Sequence, residues 1–520
     1  MPARPNVLLI ITDQHRADHL GCYGNPILKT PAIDGIAADG LCFDRFYVTS
    51  PICMPNRATL MTGRPPSLNG VRHNGIPLSL EAVTFVDLLR AAGYRTAAVG
   101  KLHLQNMTGR PALAGTKAGE AFRGRANGRY DQEIANKWRD DPRHDLDYPY
   151  YGFETVDLAI QHSDEVEGHY TRWLRERHPD SDKLRGPDNA LSNEGSDLPQ
   201  AWRTRLPEEV YPTSYVAERT IARLREFSAQ PDRPFFLKCS FPDPHHPFTP
   251  PGKYWDLYRA TDVPLPATWH VEHDSVPPHV RHLFAERDNG TARKDTPALF
   301  ACTAHEARAL TALTYGMIAM IDDAIAGILR ALDESGLAQN TITIFTSDHG
   351  DLMGDHQLML KGPVHYQGLI RVPFIWRETA ERRVSGRRSG LASTIDLPRT
   401  ILERTGVAPC NGMLGVSQLK ALTEATPCRD AVLIEEEGQR VYMGFDRRIR
   451  MRTLVTDRHR LSLYEGASWA ELYDLEADPL EMRNRWGDPA VRDTAGAMLE
   501  RLVREMIAAS ETSPAPTGLA

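Results

Sequence analysis

The sequence lacks any regular arrangement of cysteines. It contains seven cysteines in 520 residues, and none of them forms a C-x-x-C pair. An odd, unpatterned set of this kind is typical of reduced thiols and favours neither a disulfide framework nor a cysteine-based zinc site. We therefore expect a cytoplasmic protein with free thiols at Cys22, Cys42, Cys53, Cys239, Cys302, Cys410 and Cys428.

Long hydrophobic runs are also missing from the sequence as read. The apolar run at residues 7–11 is too short for the core of a signal peptide, and Asp13 and Gln14 follow it at once. No other stretch reaches the length that a transmembrane helix needs. We therefore expect no membrane partner.

A strong excess of charge of one sign is absent as well. There are 61 basic and 68 acidic residues, which gives a net charge of −7. This balance disfavours broad binding to nucleic acid, so any preference for an anion must be local. With 41% apolar residues, the chain can bury the core of a large domain and a smaller one.

The order of predicted elements indicates an α/β fold. Buried strands alternate with helices over residues 1–405, which we predict to be one α/β domain with polar insertions near 105–212 and 260–300. Short alternating runs over 406–520 predict a small antiparallel sheet with a terminal helix, including strands at 441–443 and a turn at 471–479. The insertions are predicted to shape a substrate pocket.

Polar side chains follow several of the predicted buried strands. In open α/β sheets, ligands gather beyond the carboxyl ends of the strands. Asp13 and Gln14 follow one strand and Asp348 and His349 another, so these four are predicted to hold a divalent cation. We expect calcium, with manganese and magnesium as alternatives because of His349. The residues predicted to neutralise the charge of a bound tetrahedral anion are Asn74, Lys101, His245 and Lys361.

Residues 51–64 carry the most distinctive motif. Cys53 is followed by Pro55 and Arg57 in C-x-P-x-R, and the segment ends in T-G-R at Arg64. Pro55 suits the first turn of a helix. Cys53 would then lie at the helix N-terminus, where the helix dipole favours negative charge, and Arg57 would lie one turn later.

This motif closely resembles the maturation signature of the sulfatase family, and the resemblance continues at residues 6–13, 93–103, 244–248, 347–350 and 471–479. It implies an alkaline-phosphatase-like core of mixed, mostly parallel sheet with helices on both faces, plus a small C-terminal α+β domain with an antiparallel sheet. It also implies that a formylglycine-generating maturation enzyme oxidises Cys53 to formylglycine.

The resemblance further implies a mechanism for sulfate ester hydrolysis. One hydroxyl of the hydrated formylglycine, held on the metal together with the ligands above, attacks sulfur while His245 protonates the departing alcohol. His103 then deprotonates the second hydroxyl, so that the aldehyde re-forms and sulfate leaves. Arg57 would orient the diol.

The sequence differs from the commonest sulfatases at Gln14, where many have a second aspartate. Gln14 and Asn74 resemble residues of the related phosphonate monoester and phosphodiester hydrolases, which usually lack the Lys101–His103 pair. A sulfatase is therefore the first hypothesis and a hydrolase of that second kind the alternative. A third hypothesis is a non-catalytic anion-binding protein. It would not explain why the predicted metal ligands and the predicted anion-binding residues occur together. Homo-oligomerisation stays open.

Overall fold

A computed structural model describes residues 4–113, 127–191, 198–272 and 276–518 of the chain. The strands are β1 Asn6–Thr12, β2 Leu41–Tyr47, β3 Arg95–Gly100, β4 Thr155–Ile160, β5 Glu167–Gly168, β6 Phe235–Ser240, β7 Phe300–Ala301, β8 Thr341–Ser347, β9 Leu358–Met359, β10 Phe374–Arg377, β11 Gly386–Ser393, β12 Ala431–Glu437, β13 Arg450–Thr456, β14 His459–Tyr464 and β15 Ala470–Asp474. The helices are α1 Pro31–Ala38, α2 Cys53–Thr62, α3 Pro66–Asn69, α4 Phe85–Ala91, α5 Ala135–Asp140, α6 His169–Arg177, α7 Pro212–Ser228, α8 Pro278–Asp288, α9 Ala304–Glu334, α10 Gln367–Ile370, α11 Asp396–Arg404, α12 Leu419–Glu424 and α13 Arg492–Ala508.

The core is a nine-stranded sheet in the order β11-β2-β10-β8-β1-β6-β3-β4-β5. Strand β10 is antiparallel to β2 and β8, and β5 is antiparallel to β4, whereas the other neighbours pair in parallel. The predicted mixed, mostly parallel sheet is confirmed. Because β1, β6, β3 and β8 run in parallel, their carboxyl ends meet at one edge, where the site lies.

Both faces of this sheet are covered, as expected for strands that are apolar on both sides. Along β1, Val7, Leu9 and Ile11 face one apolar cluster, and Leu8 and Ile10 face another. The first cluster includes residues of α2, α4, α8 and α11, and the second includes residues of α1, α6, α7 and α9. The predicted layers of helix, sheet and helix are therefore confirmed.

Helix α9 is long and apolar enough to cross a membrane by length and composition, with a mean hydropathy of 1.5 over its most apolar window. The sequence expectation that no stretch reaches this length is wrong. In the protein, 67% of that window is buried, and the helix packs against α1 and α7. The central helix of a globular protein passes the same test.

A four-stranded antiparallel sheet, β12-β13-β14-β15, follows the core, with α13 packed on it through Met498 and Leu502. The predicted strand at 441–443 is wrong, because these residues form no strand and the side chain of Val441 is exposed. The predicted turn at 471–479 is wrong at its start. Residues 470–474 form β15, paired with β14, and the turn begins at Asp474, whose carbonyl accepts the Asp478 N–H at 2.7 Å.

The stretches predicted as polar insertions are partly structural core. In 105–212, strand β4 joins the main sheet beside β3, and in 260–300, Val280, Leu283 and Phe284 of α8 are buried in the main core. Segments 114–126, 192–197 and 273–275 of these insertions lie outside the described residues.

Candidate active site

Helix α2 begins at Cys53, as predicted, and directs its N-terminus to the carboxyl edge of the sheet. Pro55 is its third residue, where a backbone N–H would have no partner within the helix. The helix ends at Thr62 and is followed by Gly63, whose φ of 63° is left-handed and is accessible to glycine at little cost. Pro55 and Gly63 fix the length of the helix and the position of Cys53.

The Cys53 thiol is buried among charged partners. Its Sγ lies 3.0 Å from His349 Nε2, 3.3 Å from Lys361 Nζ and 3.8 Å from Asp13 Oδ1. Burial and the Asp13 carboxylate raise the pKa of Cys53, but the charges of Lys361, His349 and Lys101 together bring it below its ordinary value. The site therefore favours negative charge at position 53.

Four of the five predicted metal ligands form one cluster. The ligand atoms of Asp13, Cys53, Asp348 and His349 all lie within 4.8 Å of one another, and all four residues are buried. His349 Nδ1 lies 2.9 Å from the carbonyl oxygen of Gly350, so its Nε2 faces the cluster. Two carboxylates and an imidazole are a donor set that fits calcium, magnesium or manganese.

Arg57 holds the two carboxylates of this cluster in place. It donates from Nε to Asp348 Oδ2 at 2.7 Å and from Nη2 to Asp13 Oδ2 at 3.1 Å. Two further bonds run from Nη1 to the Lys101 carbonyl at 2.9 Å and to Ser240 Oγ at 3.0 Å. Burial raises the pKa of Asp13, but the charges of Lys101 and Arg57 hold it well below its usual range.

Gln14, the fifth predicted metal ligand, is bonded both to a residue of the cluster and to residues outside it. Its Oε1 accepts from Lys361 Nζ at 2.7 Å, and its Nε2 donates to Asp351 Oδ2 and lies 3.0 Å from His246 Nδ1. Its backbone N–H donates to Asp348 Oδ1 at 3.1 Å. Gln14 thereby links Asp348 of the ligand cluster to Lys361, Asp351 and His246.

Lys101 and His103 both reach the site, and the backbone at His103 is not extended. The φ of His103 is 54°, and its backbone N–H donates to Glu133 Oε2 at 2.8 Å. Lys101 Nζ contacts Asp13 Oδ2 and lies 2.5 Å from His162 Nε2. His103 Nδ1 is buried without a hydrogen-bond partner among the described residues, and burial lowers the pKa of this imidazole well below its ordinary value.

His245 lies next to Lys361 and, together with His162, near Asp13. Its Nε2 is 2.7 Å from Lys361 Nζ, and its ring stacks between His162, at a centroid distance of 3.6 Å, and His246, at 4.0 Å. Burial and the neighbouring His162 lower the pKa of His245 well below its ordinary value. A bound anion next to the ring would oppose this shift.

Asn74 lies at the start of α2. Its Oδ1 accepts the backbone N–H of Met54 at 3.0 Å, one residue after Cys53. The helix has no cap from its own preceding residue Ile52, so Asn74 supplies an acceptor from a distant turn. Because Oδ1 is engaged, the amide N–H₂ group is the part of the side chain that could contact a substrate.

Sequence reasoning missed His162 and Asp351 as parts of the site. His162 comes two residues after β4, so the rule that polar residues follow buried strands applies to it too. Because β4 lies within the predicted insertion at 105–212, the sequence pattern does not mark His162 as a residue that follows a buried strand. Asp351 lies two residues after His349 and contacts Gln14, but no spacing signal separates it from an ordinary loop aspartate.

Comparison with known proteins agrees with this geometry. The profile of the Sulfatase family matches residues 5–407, and that of the N-sulphoglucosamine sulphohydrolase C-terminal region matches residues 354–508. An arylsulfatase of Clostridium perfringens is 28% identical over 97% of this chain and 94% of its own length. A multifunctional alkaline phosphatase superfamily protein of Trinickia caryophylli is 28% identical over 95% of this chain and 94% of its own length.

Among solved structures, the phosphonate monoester hydrolase of Agrobacterium radiobacter superposes with a TM-score of 0.77 at 26% identity, over 99% of this chain and 98% of that chain. The alkaline-phosphatase-like fold with its C-terminal antiparallel sheet is thus confirmed. Since the family profile spans most of the residues that build the sheet, the ligand cluster and the Cys53 helix, this chain belongs to the sulfatase family of hydrolases.

Proposed function

We propose that this hydrolase cleaves sulfate monoesters and that its active form carries formylglycine at position 53. The observation that carries the proposal is the pair of buried ammonium groups at the ligand cluster: Lys361 Nζ lies 3.3 Å from Cys53 Sγ, and Lys101 Nζ contacts Asp13. Together with Arg57, they place three cations among the carboxylates of the site. When a divalent cation is added, positive charge exceeds negative charge, which favours an anionic ester.

The side chains suit in-line displacement at sulfur. His245 would donate its proton to the departing alcohol oxygen, and Lys361 would stabilise negative charge on the sulfuryl oxygens. His103, whose Nδ1 is buried without a partner among the described residues, would accept a proton from the second hydroxyl of the hydrated formylglycine. Arg57 would fix the two carboxylates rather than contact the diol.

We propose calcium as the bound cation, held by Asp13, Asp348 and His349, with the residue at position 53 and Gln14 completing the set. Oxygen donors predominate in this set, as calcium prefers, while the imidazole keeps manganese and magnesium as alternatives. When bound, the cation supplies Lewis-acid polarisation of the ester and lowers the pKa of the nucleophile.

Hydrolysis of phosphonate monoesters or phosphodiesters is the second candidate. It is favoured by Gln14, which replaces a negative carboxylate with a neutral amide that bonds to Lys361 at 2.7 Å. It is also favoured by the similarity to the hydrolase of Agrobacterium radiobacter. Lys101 and His103 are both present, however, and supply donors for a third sulfuryl oxygen that phosphonates and phosphodiesters lack.

The two candidates are separated by kcat/KM for a matched aryl sulfate and aryl phenylphosphonate at saturating metal. We expect the sulfate to be preferred and the phosphonate to be cleaved weakly. A preference for the phosphonate of about tenfold, or about 1.4 kcal/mol of transition-state stabilisation, would overturn the sulfatase proposal in favour of the second candidate.

The modification of Cys53 is tested separately by mass spectrometry of the tryptic peptide between Arg45 and Arg57. In active protein, we expect the mass loss of thiol-to-aldehyde conversion, because a thiol cannot form the hydrated nucleophile. Co-expression with a maturation enzyme should raise the modified fraction and the activity together. Full turnover by protein that carries only the thiol would contradict the proposal.

A further inference from the structure

A cleft of about 920 Å³ lies between α8 with the segment that follows it and the loop that connects β12 to β13. We call it the arginine cleft. The residues of its wall that matter for the argument are Arg293, Leu299, Gln439, Arg440, Tyr442 and Arg448.

Residues of the cleft wall contact two glycines that are sequence neighbours of predicted substrate-binding residues, although Cys53 is not part of the wall. Gly362, which directly follows Lys361, packs so closely against the wall that a Cβ there would lie 2.9 Å from Tyr442 Oη and from Leu299 Cβ. Gly75, which directly follows Asn74, lies under Gln439, whose Nε2 would be 3.0 Å from a Cβ. The cleft is therefore one residue away from two predicted substrate-binding side chains.

The charge of the cleft is unusual for a chain with a net charge of −7. Its wall contains three arginines and one glutamate, Glu286, whose carboxylate lies 3.5 Å from His282. Arg293 lies 3.8 Å from an exposed aspartate, Asp295. Arg440 and Arg448 form no ion pair or side-chain hydrogen bond within the described ranges.

The remaining wall combines apolar side chains with the polar residues His282, Thr296 and Gln439. Leu283 and Leu299 are buried, and Met443 and the half-buried Tyr442 face the same cleft. Apolar contact combined with unpaired guanidinium groups suits an organic anion better than an inorganic one. A neutral alcohol would leave both arginines unpaired.

We propose that the arginine cleft binds the alcohol half of the substrate, and that this alcohol carries a second anionic group, such as a carboxylate, recognised by Arg440 and Arg448. This inference rests on the proposed sulfate ester hydrolysis, because it assigns the other half of the same substrate. It adds that the natural ester is a dianion, with one charge on the sulfate and one on the alcohol.

The test uses two aryl sulfates that differ only in a ring substituent, a carboxylate in one and a carboxamide in the other, with leaving groups of matched acidity. We expect the wild-type enzyme to prefer the carboxylate by about tenfold in kcat/KM, mainly through KM, since one charge-assisted contact has about that value. The preference should shrink as salt is added. Equal kcat/KM for the two esters would overturn the inference.

Substitutions of the two arginines test whether the preference for the carboxylate ester arises in the arginine cleft. In Arg440→Gln and Arg448→Gln, the ratio of the two kcat/KM values should fall towards one. Arg447→Gln is the matched control, because Arg447 belongs to the same loop, bonds to Asp446 at 2.8 Å and is not part of the cleft wall. A preference that survives both cleft variants, or that Arg447→Gln removes equally, would contradict the assignment.

Failure of this inference is distinguishable from failure of the proposed function. Hydrolysis of the carboxamide ester tests sulfate cleavage alone, whereas the ratio tests the cleft. If neither sulfate is cleaved, calorimetric binding of the free carboxylate alcohol and its carboxamide analogue still tests the cleft. Tighter binding of the carboxylate alcohol, weakened in Arg440→Gln, would support it, and equal binding would overturn it.

Discussion

At the scale of single residues, Lys361 connects the parts of the site. Its ammonium group lies 2.7 Å from both Gln14 Oε1 and His245 Nε2, and 3.3 Å from Cys53 Sγ. None of these three partners is a carboxylate, and neither is the fourth, His349 Nε2 at 3.3 Å, so no carboxylate cancels the charge of Lys361 directly. A buried cation without such a partner is costly, and an anionic substrate would remove that cost. The glutamine at position 14 thus favours anion binding.

The role of His245 is testable through the acidity of the leaving group. We expect His245→Ala to slow esters of weakly acidic alcohols far more than nitrophenyl esters, by at least about tenfold in relative kcat/KM, because a general acid contributes most when the alcohol leaves poorly. The measurement is the slope of log(kcat/KM) against leaving-group pKa for wild type and variant.

His246→Ala is the matched control, since His246 stacks on His245 but contacts Gln14 rather than Lys361. Its slope should remain that of the wild type. An equal loss for all esters in His245→Ala would assign this residue to binding. A steeper slope in His246→Ala would make His246 the candidate acid.

At the scale of elements, the strand-end rule predicted much of the site from sequence. It identified the residues after β1, β3, β6 and β8 because these strands are apolar on both faces and easily recognised. It failed at β4, where Asp157 interrupts the apolar run and polar segments surround the strand. It also could not show that Arg57 binds Asp13 and Asp348, because contacts between residues 44 and 291 positions apart depend on the tertiary fold.

The start of α2 gives a prediction at this scale, because Asn74 has two separable roles. Asn74→Ala should remove the acceptor for the Met54 N–H and lower the free energy of unfolding by about 1 kcal/mol. Asn74→Asp keeps that acceptor and adds negative charge near the helix N-terminus, so stability should be close to wild type. Chemical denaturation of all three proteins measures the difference.

Activity then separates capping from substrate binding. If the amide N–H₂ group contacts the substrate, both variants should lose kcat/KM, although only Asn74→Ala loses stability. If Asn74 acts only as a cap, Asn74→Asp should keep wild-type kinetics, which would contradict its predicted role in substrate binding.

At the scale of the whole molecule, the C-terminal sheet is anchored to the segment that follows Lys361. The His365 imidazole lies 2.9 Å from Glu436 Oε2 on β12, and Tyr464 of β14 donates to the Pro363 carbonyl at 3.2 Å. The Glu481 carboxylate accepts the Gln367 N–H at 2.9 Å. The C-terminal sheet thereby restrains the loop that positions the Lys361 ammonium group.

The centre of this anchor is Arg460, which is fully buried and bonded to two carboxylates, Glu471 at 3.2 Å and Glu481. We expect Arg460→Met to lower the free energy of unfolding by about 3–5 kcal/mol, because it leaves two buried carboxylates uncompensated. Arg458→Met is the control, since Arg458 bonds to Asp474 at the surface and should contribute about 0–1 kcal/mol.

Combining Arg460→Met with Glu471→Gln and Glu481→Gln tests whether the network also positions the active site. This triple variant should regain most of the stability. Replacing all the charged groups of a buried network by neutral ones destabilises the fold far less than leaving its carboxylates without a partner. If the network also positions the loop after Lys361, kcat/KM measured well below the melting temperature should stay reduced in the triple variant, even though its stability is regained. Wild-type activity in that variant would show that the network stabilises the fold without positioning Lys361.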